Sequence, residues 1–385
     1  MTGKARTVTE ADARKLLRDA RRIVIKVGSS TLTRNGRLRP RKFGDLARQI
    51  SGLMDAEREV VLVSSGAIAI GAAKLEWDNP GHSIPEMQAA AAVGQIGLVE
   101  HYQRRFAGHG RHVAQVLLTR VGLEDRERFL NARQTLQELL RLGVVPVVNE
   151  NDTIATEEIR FGDNDNLSAN IVSLVAADAL VILSDVDGLF VEPPVEGKRK
   201  PSLFDVIEKI TPEVERAAQG SSSAFGRGGM ITKLEAARTA AHSGATTVLC
   251  NGATPNVVSR VLGGEPLGTV FLPATRMASR KHWLAFTTRT RGSLVLDEGA
   301  SRAIQNRGRS LLSAGVVSHS GDFKRGDSVA CFDPEGREIA RGLCAYSAQE
   351  IERIKGIPAR KIERVLGYSN GDEIIHRDNL VILTS

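Results

Sequence analysis

Between positions 22 and 271 the chain alternates two patterns. Short apolar runs rich in β-branched residues recur at RIVIKVG (22–28), REVVLVSSG (58–66), HVAQVLL (112–118), GVVPVVN (143–149), ALVILSDVDG (179–188) and ATTVLC (245–250). Between them, apolar positions fall at helical spacing over Arg39–Ala56, Pro85–Phe106, Asp125–Leu142, Asn166–Ala176 and Met230–Ser243. Runs without polar alternation, each followed by a helix, predict a parallel sheet covered on both faces. Ligands of such sheets bind beyond the carboxyl ends of the strands, so chemistry is expected in the loops after these runs. Past Leu272 the pattern changes to short strands broken by Gly-Asp and Pro-Glu-Gly turn signals, which predicts a small, mostly β unit. The expected division is a basic N-terminal tail over 1–21, an α/β domain over 22–271, a linker over 272–290, a mostly β domain over 291–370, and a closing strand and tail over 371–385.

Composition narrows the class. At 385 residues the chain is long for one core, and its 42% apolar and 25% charged content is that of an ordinary globular protein. No apolar run approaches the ~20 residues of a membrane-spanning helix. The N-terminus carries basic residues without the apolar centre of a secretory signal, so the cytoplasm is the expected location. Cys250, Cys331 and Cys344 are scattered and lack C-x-x-C spacing, which argues for reduced core thiols rather than zinc. His109 and His112 form the one close histidine pair and have no acidic company, so they read as surface residues. The net charge of +7 hints at nucleic acid until it is located. The excess lies in the first 22 residues and in the 272–291 stretch, while basic and acidic residues cancel over 292–385. A basic binding face on either folded unit is therefore not expected, and nucleic acid is not an expected partner.

Candidate chemistry sits at the predicted strand ends. Lys26 interrupts an apolar run, and Gly28, Ser29 and Ser30 follow with backbone that a phosphate could approach closely. Ser64, Ser65 and Gly66 lead into a helix, whose N-terminus suits an anion, although Ser64 reads best as an ordinary N-cap. Ser184 and Asp185 close another run. In FGRGGMITK, Gly226, Gly228 and Gly229 precede a helix starting near Met230, with Lys233 in its first turn. The spacing is neither that of a Walker A loop nor G-x-G-x-x-G, yet glycines, helix start and lysine together suit a polyphosphate. Both lysines are expected at loop ends. The chain is most lavish at VVPVVNENDTIATEEIRFGDNDNLSA, where Asn149–Asp152 and Asp163–Asn166 cluster after an apolar run. Carboxylates and amides there suit the ammonium and polar hydrogens of a zwitterionic, amino-acid-like acceptor. With two lysines and several anion sites, the whole suits phosphoryl transfer, which needs positioning and charge neutralisation more than covalent help.

The motifs IKVGSS, VSSGAIA, RERFLNAR, NEND…GDNDN, LSDVDGL and GRGGMITK closely resemble the glutamate-phosphorylating branch of the amino-acid kinase family. The later SGDFKRGDSVACFDPEGREIARGL is similar to the PUA domain appended to many bacterial members. The resemblance implies a parallel-sheet amino-acid kinase sandwich with a smaller, mostly β PUA-like domain. It also implies phosphorylation of the side-chain carboxylate of L-glutamate by ATP, with Mg²⁺ carried on the nucleotide phosphates and no protein metal cage. The expected product is γ-glutamyl phosphate, on the way to proline. By resemblance Lys26 and Lys233 stabilise the transferring phosphoryl group and Asp165 holds them. Ser65, Asp152 and Asn164 match glutamate-binding positions, with Asn149 beside them. Lys26, Gly28, Ser184, Asp185 and the loop Gly226, Arg227, Gly228, Gly229, Met230, Ile231, Thr232 and Lys233 match the ATP site. Arg227 and Ile231 depart from the pattern, standing where the family often carries small hydroxyl residues. A dimer or tetramer, and inhibition by L-proline, are further expectations of the resemblance. PUA domains commonly bind RNA, but the balanced charge of 292–385 and the intact kinase motifs weigh against that reading.

Overall fold

A computed structural model describes residues 8–34, 37–79, 83–154, 164–192, 201–219, 229–274 and 290–383. The chain divides into two compact units, Met1–Gly122 with Arg126–Arg276, and Met277–Ser385 with Leu123–Asp125. The first is built on an eight-stranded sheet among the described residues. Its strands are β1 (Arg22–Val27), β4 (Glu59–Ser64), β5 (Val113–Leu118), β6 (Val145–Glu150), β7 (Ala179–Ser184), β8 (Val206–Ile207), β9 (Thr246–Asn251) and β10 (Thr269–Phe271). The spatial order is β5-β6-β4-β1-β7-β9-β10-β8, and every pairing is parallel except β9 with β10. A two-residue ribbon, β2 (Thr33–Arg34) with β3 (Arg37–Leu38), stands apart.

The apolar runs form the strands because nearly every position in them is buried. Ile23, Val24, Ile25 and Val27 of β1 have no exposed surface, and each such side chain contributes about 1.5–3 kcal/mol by leaving water. Lys26 is the exception in kind, held in register with Val63 and Ile182 on either side. After β1 the chain adds β4, then β5 at the edge and β6 between those two, all on one side, before crossing to β7 on the other. The carboxyl ends of β1 and β7 thus flank the switch point, where open α/β sheets form their ligand crevice.

Among the described residues the helices of this unit are α1 (Glu10–Asp19), α2 (Ser29–Leu32), α3 (Pro40–Asp55), α4 (Ala67–Lys74), α5 (Ile84–Ala107), α6 (Arg120–Glu124, its last two residues grouped with the second unit), α7 (Arg126–Arg141), α8 (Asn164–Val175), α9 (Pro212–Gln219), α10 (Met230–His242) and α11 (Val257–Leu262). The first corrects the expectation of a basic tail over 1–21. Thr9 and Asp12 close a capping box on α1, and its Ala13 and Leu17 lie in the main core. Arg14, counted as tail charge, is buried, donating to the carbonyl oxygens of Leu267 (2.7 Å) and Gly268 (3.1 Å).

Helices α4 and α5 cross with their backbones in contact. A Cβ on Gly71 would sit 1.7 Å from the Ala90 carbonyl oxygen, and one on Gly94 would sit 1.8 Å from that of Ala67. Only glycine permits this approach. It presses the middle of α5 against the start of α4, next to the ends of β4 and β6.

The second unit holds a five-stranded sheet of β11 (Gly292–Leu296), β13 (Val316–Gly321), β14 (Ser328–Phe332), β15 (Glu338–Leu343) and β17 (Leu380–Ile382), ordered β13-β11-β14-β15-β17. Only β11 with β14 is parallel. A second small pair joins β12 (Leu311–Leu312) to β16 (Glu373–Ile375). Its core gathers Leu294, Phe323, Tyr346, Ile351 and Ile375. The stretch 371–385, set apart from the sequence, supplies β16 and β17 and so belongs to this unit.

Candidate active site

Three charged side chains from three elements meet at the end of β1. Asp165 lies in the first turn of α8 with no exposed surface. Its Oδ1 is 2.6 Å from Lys26 Nζ on β1, and its Oδ2 is 3.2 Å from Lys233 Nζ on α10. The Thr232 hydroxyl lies 2.9 Å from both Asp165 Oδ2 and the Gly229 carbonyl oxygen. The helix N-terminus also favours a carboxylate there. Burial alone would push the Asp165 carboxyl up, but the two ammonium groups and their hydrogen bonds overcome it and hold the group well below the usual carboxylate range.

Both lysines correct the expectation of loop ends. Lys26 is 6% exposed and Lys233 7% exposed, within regular structure. Among the described residues two buried cations here share one buried carboxylate in a poorly solvated place. Such a site calls for an anionic ligand.

Two glycines lie beside it. Gly28 has φ −73°, which any residue adopts, so its value is space. A Cβ there would lie 3.7 Å from Lys26 Nζ, over the ammonium itself. Among the described residues Gly229 caps α10 without any side-chain bond, and the first amides of a helix so capped suit an anion. Of the expected nucleotide loop, Gly226, Arg227 and Gly228 lie outside the described residues. Met230 is buried, Ile231 is half exposed, and Thr232 turns its hydroxyl to Asp165. Ser184, buried at the end of β7, donates to the exposed Asp185 (3.0 Å). Beyond them Asn251 donates to Asp187 (2.8 Å), a pairing that no local pattern announced.

On the other side of Asp165 the polar cluster resolves into a chain of amides. Asn164 Nδ2 donates to Ser65 Oγ (2.9 Å) and to Asn149 Oδ1 (2.8 Å). Asn149 Nδ2 donates to Gln95 Oε1 (2.9 Å). Ser65 is placed by its amide, which donates to the Val27 carbonyl and extends the β1–β4 ladder by one residue. Asp152 lies in the turn after β6, partly buried. Ser64 is not the N-cap expected. Gly66 takes that position at φ +110°, a left-handed conformation that favours glycine, while the Ser64 hydroxyl is buried against Tyr102 Oη (2.9 Å).

Neighbouring residues Asn164 and Asp165 therefore face opposite tasks. One joins the uncharged amides, the other the lysines. Gln95 is the member of this site that sequence reasoning missed. Burial pushes the Cys250 thiol up to about 12, so this core thiol is no nucleophile at neutral pH. Among the described residues no group of three or more His, Cys, Asp or Glu is placed to hold a metal ion, and no helix is long and apolar enough to cross a membrane.

The mostly parallel sheet carries paired lysines on a buried aspartate at its switch point, and comparison with known proteins gives the class. The chain belongs to the amino acid kinase family, which residues 21–251 match, while residues 292–366 match the PUA domain. Its relatives within that family are glutamate 5-kinases. The enzyme of that name from Burkholderia multivorans (strain ATCC 17616 / 249) is 50% identical over 374 residues, covering 96% of this chain and all of that protein. Glutamate 5-kinase from Paraburkholderia phymatum is 49% identical over 375 residues, with the same coverage. Among solved structures, UMP kinase from Bacillus anthracis superposes with a TM-score of 0.45 at 17% identity, over 66% of this chain and 96% of that one.

Proposed function

We propose that the chain transfers the γ-phosphoryl group of ATP to the side-chain carboxylate of L-glutamate, forming γ-glutamyl phosphate and ADP in the first step of proline biosynthesis. The observation that carries this reading is the Lys26–Asp165–Lys233 bridge beside the amide chain. The acceptor carboxylate, with an unperturbed pKa of about 4.3, is already ionised at neutral pH, so no general base is needed. Its oxygen bonds to the γ-phosphorus as the bond to the bridging oxygen breaks, and ADP leaves with that electron pair. The obstacle is repulsion between an anion and a polyanion. Lys26 and Lys233 offset it with charge already in place, and Asp165 keeps them from separating. The amides at Gly28–Ser30 and at the start of α10 hold phosphate oxygens.

Glutamate is held on the amide side in this reading. Asn149, Asn164 and Ser65 orient it, and Asp152 pairs with its α-ammonium group. Mg²⁺ carried on the nucleotide would supply neutralisation of the phosphate charge. Among the described residues the buried carboxylate at hand is that of Asp165, which is already engaged by two ammonium groups and is a poor metal ligand. L-Proline, which shares the α-carboxylate and carries a secondary ammonium where glutamate has a primary one, would compete around the glutamate site, and the enzyme would work in the cytoplasm as a homo-oligomer. The test is ADP release with ATP and Mg²⁺, with and without L-glutamate, then with proline added. Release that ignores glutamate, or that follows aspartate or acetylglutamate better, defeats the reading.

A further inference from the structure

A side-chain amide can be turned end for end at little cost in shape, so Asn164 could present either its oxygen or its nitrogen to a ligand. Here both Nδ2 hydrogens are committed, to Ser65 and Asn149, and Asn164 Oδ1 is buried without a partner among the described residues. That orientation requires Asn149 to offer Oδ1, which in turn requires something to accept from Asn149 Nδ2. Gln95 Oε1 does so at 2.9 Å, from a side chain 8% exposed. Gln95 follows Gly94, the residue whose missing Cβ lets α5 touch the start of α4, so its place is fixed by backbone packing rather than by a loop.

We propose that Gln95 is a positioning residue of the acceptor site, holding Asn149 and through it Asn164 in place, so that the unpartnered Asn164 Oδ1 meets the α-ammonium group of the substrate. The inference rests on the glutamate reading above. A buried acceptor with no partner is destabilising unless a ligand donor completes it, and an ammonium group has the three donors to do so. The Gln95 Nε2 atom is likewise buried and unpartnered among the described residues, leaving a donor at the far end of the same chain.

The experiment compares wild type, Gln95→Leu and Gln95→Glu in ADP release with ATP and Mg²⁺. L-Glutamate and glutarate, which lacks the ammonium group, serve as acceptors. Leucine removes the acceptor and frees Asn149 to turn, whereas glutamate at position 95 keeps an oxygen facing Asn149 Nδ2. Expected for Gln95→Leu is a rise in glutamate KM of about tenfold, the equivalent of 1.4 kcal/mol, with KM for ATP unmoved. Its preference for glutamate over glutarate should shrink by a similar factor, and Gln95→Glu should restore much of it. Three results would overturn the role: an unchanged glutamate KM in Gln95→Leu, equal damage to KM for ATP and kcat, or a Gln95→Glu enzyme no better than Gln95→Leu. A thermal melt on each variant separates unfolding from misplacement. Wild-type protein that releases no ADP with glutamate would sink the proposed reaction and this role together. Wild-type turnover with an indifferent Gln95→Leu would sink this role alone.

Discussion

Replacing Asp165 with asparagine keeps the shape of the side chain and removes its charge. In the native site each carboxylate oxygen faces one ammonium group, at 2.6 and 3.2 Å. The asparagine oxygen can still accept from one lysine, but its NH₂ then points at the other. At least one charge-assisted hydrogen bond is lost, worth about 1.5–3 kcal/mol, and two buried ammonium groups are left to repel each other. They will separate, and the transferring phosphoryl group will meet displaced charges. The expected fall in kcat is on the order of 10²–10³-fold, the scale for losing one preorganised electrostatic group. Glutamate KM should move far less, because Asn164, Asn149 and Ser65 remain. Steady-state kinetics with each substrate varied measures the split. A second readout is stability against pH. The folded carboxyl is held below its usual range, so it stabilises the fold fully above the unfolded value of about 3.9 and loses that contribution as pH falls from there. Urea unfolding of wild type should therefore weaken below about pH 4 by a component that Asp165→Asn lacks. A variant with wild-type kcat, or one altered only in glutamate KM, would refute the assignment.

Other expectations follow from the same geometry. Lys26→Ala and Lys233→Ala should each lower kcat by about 10²-fold. Each should also lower the urea midpoint, since removing one partner of a buried ion pair costs up to about 3–5 kcal/mol; turnover at the wild-type rate would take that lysine out of the mechanism. Asp152→Asn should weaken glutamate binding by roughly ten- to a hundredfold with little change in KM for ATP, and an unchanged glutamate KM would remove Asp152 from the acceptor site. A chain ending after Ala274 should still form ADP in response to glutamate, because every assigned residue precedes that point. A folded truncation without activity would give the second unit a part in catalysis.

What the sequence disclosed and what it hid have physical reasons. Lys26 was legible because a cation inside RIVIKVG has no structural excuse, and the helix start at Met230 followed from the glycines before it. Helix α1 was hidden by its charge. Arg14 looks like tail charge until its two carbonyl partners, more than 250 residues away, are seen. Ser64 misled because serine before a helix usually caps it, whereas here Gly66 adopts the left-handed turn two residues later. Gln95 was the hardest. It lies in an alanine-rich helix with no local partner, and Asn149, whose amide it receives, is 54 residues on. Pairings of that reach exist only once the sheet has formed.

The crossing of α4 and α5 gives the most direct test of how packing reaches the site, through two identical substitutions of opposite sign. Gly52 lies on the exposed face of α3, and a Cβ there would meet nothing within 4 Å. Gly52→Ala should therefore stabilise the fold by about 0.5–1 kcal/mol, through helix propensity and a less free unfolded chain. Gly94→Ala has the same gain available and a clash that outweighs it. Its Cβ would fall 1.8 Å from the Ala67 carbonyl oxygen and 2.4 Å from the Gly71 amide nitrogen. These are backbone atoms, which cannot rotate aside as a side chain would, so α5 must move away from α4. Overpacking costs about 1–3 kcal/mol even where side chains can yield, and more is expected here. The displacement also carries Gln95 away from Asn149, so glutamate KM should rise in Gly94→Ala and stay at the wild-type value in Gly52→Ala. Urea unfolding and steady-state kinetics on the pair decide it. Should Gly94→Ala prove as stable as wild type, the backbone contact is not as close as described. Should it be destabilised with an unchanged glutamate KM, the crossing supports the fold without setting the acceptor site.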